Sequence, residues 1–108
     1  MSTNKNVAVA VEFAEKVALA RARFSKSSIS QMDLDWHDTR WKKFQSSNEI
    51  EIELNMLVKA FITLIDVEEK LKADNSDNEL FLKRATIFRT INQIKHKLFF
   101  LISELYKE

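Results

Sequence analysis

The 108-residue chain contains no glycine and no proline. Average usage predicts roughly 13 residues of these two types in a chain of this length. β-Hairpin turns, dinucleotide-binding loops and phosphate-binding loops depend on glycine at positions of positive φ, so folds built on them are poor candidates. The sequence therefore predicts an all-α fold, and its length fits a single domain spanning residues 1–108.

Cysteine is also absent, which excludes a disulfide framework, a thiolate metal site and a cysteine nucleophile. The 17 basic and 16 acidic residues nearly cancel and leave a formal net charge of +1. No apolar run approaches the ~18 residues of a membrane-spanning helix, and no secretory signal is visible. We therefore expect a soluble cytoplasmic protein with no membrane partner.

Two long heptad patterns occupy the second half of the chain. The first consists of Ile50, Leu54, Leu57, Phe61, Leu64, Glu68 and Leu71, and the second of Leu80, Arg84, Ile87, Ile91, Ile94, Leu98, Leu101 and Leu105. The polar stretch 74–77 separates them. This arrangement predicts two helices, at about 47–73 and 77–107, that fold back on each other as a long antiparallel hairpin.

The two patterns agree on one register across the hairpin. Partners in an antiparallel pair have position numbers with a constant sum, which places Leu57 opposite Ile94. The same register places Glu68 opposite Arg84, so the only two charges in the seam meet as a pair of opposite sign. We expect this pair to be enclosed and to specify the alignment of the two helices.

The two flanks of the hairpin differ in polarity. One flank is apolar and carries Val58, Ile62, Ile65, Phe81, Phe88, Phe99, Ile102 and Tyr106. The other flank places Glu53 opposite Lys97. An N-terminal helix at about 3–25, which is apolar on several sides, is expected to cover the apolar flank. A shorter helix at about 29–45 then completes a three- to four-helix bundle.

The prediction of the short helix rests on a pattern of apolar residues that fits both a helix and a strand. Leu34, His37 and Trp41 follow helical spacing. Met32, Leu34 and Trp36 instead alternate as in a strand, but the chain offers no second strand to pair with it. Serines with capping-box spacing predict the starts of this helix and of the two long ones: Ser28 with Gln31, Ser46 with Glu49, and Ser76 with Glu79.

The end of the short helix interleaves aromatic and basic residues. Trp36 and Trp41, the only tryptophans, are accompanied by Arg40, Lys42 and Lys43. Three interpretations are open. The tryptophans cap the open end of the hairpin while the lysines are solvated, or the segment anchors a protein partner, or it contacts nucleic acid by base stacking and phosphate neutralisation.

Ile52, Met56 and Phe100 are apolar residues that the hairpin seam does not use. In the predicted register they lie near one another at the open end of the hairpin. Methionine and phenylalanine are enriched at protein interfaces, and an outer apolar cluster on a small protein marks a partner or dimer surface. The alternative is a contact with the short helix within the same chain.

A metal site is not predicted. Asp33 and His37 have the spacing of two ligands on one helix, but a stable transition-metal site needs three or four ligands. The only other histidine, His96, belongs to a distant helix. No other residue pattern calls for a cofactor.

The stretch from Arg89 to His96 is similar to the Arg-x(4–6)-His motif of HEPN-type helical ribonucleases. The resemblance covers these eight positions. It implies a bundle dimer in which Arg89 stabilises a phosphate and His96 acts as acid or base on a ribose hydroxyl. Both residues point away from the hairpin seam in the predicted register.

The sequence as a whole favours a small non-enzymatic interaction module that forms a homodimer and binds a protein partner stoichiometrically. The near-neutral charge, the surplus apolar residues and the lack of a catalytic constellation indicate this class. An adaptor, an immunity protein or antitoxin, an assembly chaperone and a phage- or plasmid-type inhibitor all fit it. The alternatives are a nucleic-acid-associated subunit of a ribonucleoprotein and a HEPN-like ribonuclease.

Overall fold

The computed structural model describes residues 2–42 and 47–105, with the side chains of α1 from Asn6 onward. Within these ranges the chain forms four helices and no strand. They are α1 (Ser2–Ser25), α2 (Gln31–Trp41), α3 (Asn48–Ala73) and α4 (Asn78–Leu105). The all-α prediction is confirmed. The predicted ends of the short helix at 43–45 and of the last helix at 106–107 lie outside the described residues.

Serine hydroxyls cap α2 and α3, but later in the chain than predicted. Ser30 Oγ accepts a hydrogen bond of 3.2 Å from the N–H of Asp33, and Ser47 caps α3 in the same way. Ser28, the predicted cap of α2, lies in the turn after α1, where its N–H bonds back to the last turn of that helix. Ser46 lies outside the described residues.

Two aspartates build the turn between α3 and α4. The carboxylate of Asp74 accepts hydrogen bonds from the hydroxyl and the N–H of Ser76, and these bonds lower the pKa of Asp74. Because Ser76 is engaged in the turn, Asp77 caps α4 by accepting from the N–H groups of Glu79 and Leu80 at 2.9 and 3.2 Å. The capping box expected at Ser76 is thus wrong by one residue.

α3 and α4 form the predicted antiparallel hairpin. The buried seam residues are Ile50, Leu54, Leu57, Phe61, Leu64 and Leu71 from α3 and Ile87, Ile91, Ile94 and Leu98 from α4. Two ion pairs join the helices at the expected levels: Lys97 Nζ lies 3.2 Å from Glu53 Oε2, and Arg84 Nε lies 3.6 Å from Glu68 Oε2. Both pairs match the predicted register.

α1 packs against both long helices but does not reach the tip of the hairpin. Glu15 Oε1 lies 3.1 Å from Lys95 Nζ in the middle of α4. The ammonium of Lys26, just after α1, bonds to the carboxylate of Asp66 in α3, which raises the pKa of Lys26. These contacts show that α1 runs parallel to α3 and stops about two turns before Ala73. Beyond that level the hairpin consists of two helices.

The expectation that the N-terminal helix covers the apolar flank is therefore met only in part. Ile102 is buried, and Val58, Ile62 and Ile65 are partly buried against the core. Phe81, Phe88 and Phe99 remain exposed along α4. Phe81 lies beyond the end of α1, whereas Phe88 and Phe99 are half-exposed at levels of α4 that α1 passes.

α2 folds back along the outer side of α1. Arg21 Nε in α1 donates to Asp38 Oδ1 in α2 at 3.2 Å. At the end of α2 the indole of Trp41 is buried, and its Nε1–H donates to Glu51 Oε1 in the first turn of α3 at 3.3 Å. α1 is thus packed on two sides, between the hairpin and α2, as its apolar composition predicts.

The sequence predicts that the Glu68–Arg84 pair is enclosed and that the Glu53–Lys97 pair lies on the polar flank, but the structure exposes the first pair and buries the carboxylate of the second. Glu68 and Arg84 were expected to be enclosed, yet their side chains are 44% and 41% exposed because α1 does not extend to their level. Arg84 Nε is shielded from solvent without a hydrogen-bond partner, so the pair lacks a true hydrogen bond. Glu53, expected on the polar flank, is the carboxylate that is buried, with 8% of its side chain exposed.

We therefore expect Lys97→Ala to destabilise the protein more than Arg84→Ala does. Without Lys97 the buried carboxylate of Glu53 loses its cation, at a cost of about 1–3 kcal/mol, whereas breaking a half-exposed pair at Arg84 costs about 0–1 kcal/mol. Urea unfolding followed by circular dichroism measures both, with Lys83→Ala as the surface control. Arg84→Ala proving the more damaging would show that Glu68 is enclosed after all.

Candidate functional site

A cleft of about 700 Å³ lies between the outer face of α1 and α2. Its apolar lining comes from Leu19 and Ala20 in α1, Ile29 in the connection, and Met32 and Trp36 in α2. Clefts of this volume with mostly apolar walls are typical of binding sites in proteins. The cleft is therefore the candidate site of this molecule.

Local structure explains why α2 leaves a gap. After α1 the chain reverses at Ser27, which adopts a left-handed conformation with φ of 60°. α2 is then held to its neighbours by the pairing of Asp38 with Arg21 and by the buried Trp41. Between these attachments α1 presents the small side chain of Ala20, which cannot fill the space between the helices.

Trp36 is the dominant feature of the cleft. Its side chain is 52% exposed, and the guanidinium carbon of Arg40 lies 3.3 Å from its ring centroid. Arg40 Nη1 also donates to the backbone oxygen of Trp36 at 3.1 Å, and the ring of His37 meets the indole edge-on at 4.9 Å. The indole is thus held in one orientation before any ligand arrives, which reduces the entropy lost on binding.

Met32 adds a second apolar contact at the mouth of the cleft. It is 80% exposed and lies one helical turn from Trp36. Charged groups stand around these two residues, with Lys16 and Arg23 on the α1 wall and Asp33 on the α2 wall. The site therefore combines an apolar floor with a charged rim, which is the usual anatomy of a protein interface.

The predicted aromatic and basic segment is divided by the structure. Trp36 lines the cleft and Arg40 stacks on its indole, whereas Trp41 is buried and contacts the first turn of α3 at the open end of the hairpin. Lys42 is exposed directly after α2. Lys43 lies outside the described residues.

The outer cluster of Ile52, Met56 and Phe100 is exposed. Among the described residues α2 packs chiefly on α1, and because 43–45 lie outside them the alternative of an intrachain contact with the short helix stays a prediction. Ile52 borders a small hollow of about 180 Å³ beside Leu101 and the Glu53 carboxylate. The cluster is a surface feature separate from the cleft.

Arg89 and His96 are both exposed on α4, two turns apart along the helix. His96 borders a shallow hollow with Val11 and Phe99, and Arg89 does not line it. Within the described residues, no group of three or more acidic or histidine side chains is arranged to hold a metal ion. Asp33 and His37 lie on the cleft wall without a third ligand beside them.

The sequence pointed to Trp36 and to Arg40, which stacks on it, but not to Leu19, Ala20, Ile29 and Met32 as site residues. The signal of Leu19 and Ala20 is weak because small and aliphatic residues in an alanine-rich helix are equally suited to a core, and Ile29 is a single apolar residue in the connection between α1 and α2. The position of α2 along α1 determines that they line a cleft.

No family model matches the chain, and neither a search of curated proteins nor a search of solved structures finds a significant match. Among the described residues, none of the helices has the length and apolarity required to cross a membrane. Fold and site together define a small all-α bundle with an aromatic cleft on one side.

Proposed function

We propose that this protein is a non-enzymatic interaction module that binds a protein partner stoichiometrically through the cleft between α1 and α2. The observation that carries the proposal is the half-exposed indole of Trp36, held by Arg40 above an apolar floor with Met32 beside it. Tryptophan, methionine and arginine are enriched at protein interfaces and at their binding hot spots. Adaptors, immunity proteins, antitoxins, assembly chaperones and inhibitors all work by this mode of binding.

The charge of α2 favours a protein over a nucleic acid. The helix carries Asp33, Asp35 and Asp38 against the single cation Arg40. Phosphate backbones are bound by clustered cations, and three carboxylates on the same short helix oppose such binding. The basic residues of the segment are therefore not part of a nucleic-acid site in this proposal.

The proposal also includes self-association as a homodimer and a cytoplasmic location. Surplus exposed apolar side chains on α3 and α4 support the first part. A cysteine-free composition is compatible with a reducing compartment and supports the second.

Trp36→Ala is expected to weaken partner binding by about tenfold or more, the size of a hot-spot loss. Peptides selected from a random display library on the wild-type protein serve as the probe, and titration calorimetry measures their affinity and stoichiometry. We expect one peptide per chain. Phe100→Ala, which removes an exposed aromatic side chain outside the cleft, is the matched control and should leave the affinity unchanged.

Peptides that bind the Trp36→Ala protein as tightly as the wild type would place the binding site elsewhere. An oligonucleotide titration under the same conditions provides a second comparison. Tight binding of the oligonucleotide with a steep dependence on salt would support the nucleic-acid alternative.

A further inference from the structure

The cleft between α1 and α2 is a groove whose two walls are helix faces. On the α1 wall the lining residues are spaced by three, one and three positions: Lys16, Leu19, Ala20 and Arg23. On the α2 wall they form two neighbouring pairs one turn apart: Met32 with Asp33, and Trp36 with His37. Residues at such spacings lie on one side of a helix. The groove therefore follows two helices, with apolar side chains in its floor and charged ones at its rim.

The walls of the groove offer no backbone partner to an extended peptide. Beyond their terminal turns, the main-chain N–H and C=O groups of α1 and α2 are bonded within their own helices. The described residues also contain no strand whose edge a peptide could extend. A segment that covers the apolar floor must therefore satisfy its own backbone hydrogen bonds, which an α-helix does. An amphipathic helix that places apolar side chains in a groove is a common mode of peptide recognition.

The chain uses the same kind of packing within its own bundle. α1 contacts both α3 and α4, so it lies along the groove between two antiparallel helices. The carboxylate of Glu15 on α1 pairs with Lys95 on one wall of that groove, at 3.1 Å. A helix in the cleft repeats this arrangement on the outer side of α1, with a carboxylate of the inserted helix facing a cation of the wall.

The α1 wall of the cleft carries two cations that lack an acidic partner among the described residues. The neighbouring cations Arg21 and Lys26 each pair with an aspartate. Lys16 and Arg23, by contrast, are exposed, and neither forms an ion pair with a described residue. They are separated by two helical turns, or about 10 Å along α1. A helix that lies in the groove and carries carboxylates two turns apart reaches both.

The α2 wall carries the opposite charge. Asp33 is exposed there and forms no ion pair with a described residue. An acidic side chain of a bound helix is therefore attracted to α1 and repelled by α2. The two walls together determine how a bound helix is turned about its own axis, with its acidic edge toward α1 and its apolar face toward the floor.

We propose that the partner enters the cleft as an amphipathic helix of at least two turns whose acidic edge faces Lys16 and Arg23. This inference rests on the proposed function and names the chemistry of the partner segment. Apolar side chains of the helix contact Leu19, Met32 and Trp36, while two carboxylates pair with the two cations. Because the cations stand at the rim, they contribute mainly to selectivity and orientation, and the indole contributes most of the affinity.

Peptide selection tests the chemistry of the partner segment. A display library of short random peptides is selected once on the wild type and once on the double variant Lys16→Glu with Arg23→Glu. Peptides from the wild type should carry apolar residues at helical spacing and acidic residues two turns apart on one edge. Peptides from the double variant should carry basic residues at the edge positions instead. The same residues at these positions in both selections would overturn the inference.

Titration calorimetry with one acidic peptide from the wild-type selection measures the effect of the two cations. The double variant should bind this peptide about tenfold more weakly or worse, because attraction is replaced by repulsion at both positions. Lys59→Glu with Lys83→Glu makes the same change of charge at exposed lysines of α3 and α4 and is the matched control. Its affinity should stay within about twofold of the wild type, since distant charges are screened by salt.

A neutral variant keeps the test decisive if the reversed charges disturb the fold. Lys16→Gln with Arg23→Gln should weaken binding of the acidic peptide by a smaller factor than the charge reversal does. It should also reduce the salt dependence of that binding, because screening acts on the charge pairs that it removes. Binding by this variant with unchanged affinity and unchanged salt dependence would overturn the inference.

A proline at a solvent-facing position in the middle of the same peptide tests its conformation. Proline breaks a helix interior but is tolerated in an extended peptide, so we expect the affinity to fall by about 100-fold. Alanine at that position is the control and should leave the affinity unchanged. A proline peptide that binds as tightly as the alanine peptide would show an extended occupant and overturn the inference.

The outcomes separate this inference from the proposed function. Peptides that lose affinity for Trp36→Ala but show neither an acidic edge nor a helix would overturn the inference and leave the proposed function standing. Peptides that bind Trp36→Ala as tightly as the wild type would overturn both. A library that yields no binding peptide on the wild type would likewise overturn both.

Discussion

Trp41→Ala is expected to lower the free energy of unfolding by about 3–5 kcal/mol, the cost of removing a large buried aromatic side chain. Trp41 attaches the end of α2 to the open end of the hairpin, where its indole is buried and its Nε1–H donates to Glu51. Its removal leaves a cavity and detaches the end of α2 from α3, while Asp38 still pairs with Arg21 in α1. We therefore expect the core to loosen where α2 meets α3.

Trp36→Ala is the matched control for this experiment. It removes the same side chain from the same helix, but from an exposed position, and should lower the free energy of unfolding by less than about 1 kcal/mol. Urea unfolding followed by far-ultraviolet circular dichroism is the suitable measurement, because tryptophan fluorescence itself changes in both variants. Equal losses at the two positions would mean that Trp41 does not hold α2 in place.

Leu98→Ala should cost about 2–5 kcal/mol, as expected for truncating a fully buried leucine in a well-packed core. Leu98 is 0% exposed in the seam between α3 and α4. The cavity left by the truncation is expected to persist, because neighbouring seam residues hold the two long helices together along their length. The same unfolding experiment measures the loss.

Phe100→Ala serves as the reference for Leu98→Ala. Phe100 is two residues further along α4 and 69% exposed, so its truncation should change stability by no more than about 0.5 kcal/mol. A larger loss at Phe100 than at Leu98 would indicate that α4 is rotated relative to the register described above. The comparison therefore tests the hairpin independently of the ion pairs.

The hairpin is the part of the fold that periodicity predicts well. Leu57 and Ile94 belong to heptad patterns that run for seven or more positions, and both are buried. A long pattern of this kind specifies which face of each helix is apolar, and the polar turn then brings the two faces together. The ion pair of Lys97 with Glu53 confirms the resulting register.

The N-cap residues were harder to predict from the sequence, because neighbouring residues are equally able to cap the same helix. Near the start of α4, Ser76 and Asp77 are both good capping residues. The choice depends on Asp74, which binds the hydroxyl of Ser76 in the turn and leaves Asp77 to cap the helix. Such a local competition among side chains is not visible in spacing alone.

The candidate site depended even more on tertiary structure. The sequence indicated that Trp36 and Trp41 were special, but their similar surroundings in the chain did not reveal that one is exposed and the other buried. That difference arises because α2 lies antiparallel on α1, with its end against α3 and its middle over the small Ala20.

By itself, the sequence determined the helical class, the four helices and the pairing of the two long ones, since these follow from missing glycine and proline and from repeated apolar spacing. Tertiary structure alone decided where α1 stops against the hairpin. That stopping point leaves Glu68 open to solvent, while the packing of the hairpin buries Glu53. The physical reason is that spacing specifies the face of a helix, whereas burial depends on how far a neighbouring helix extends along it.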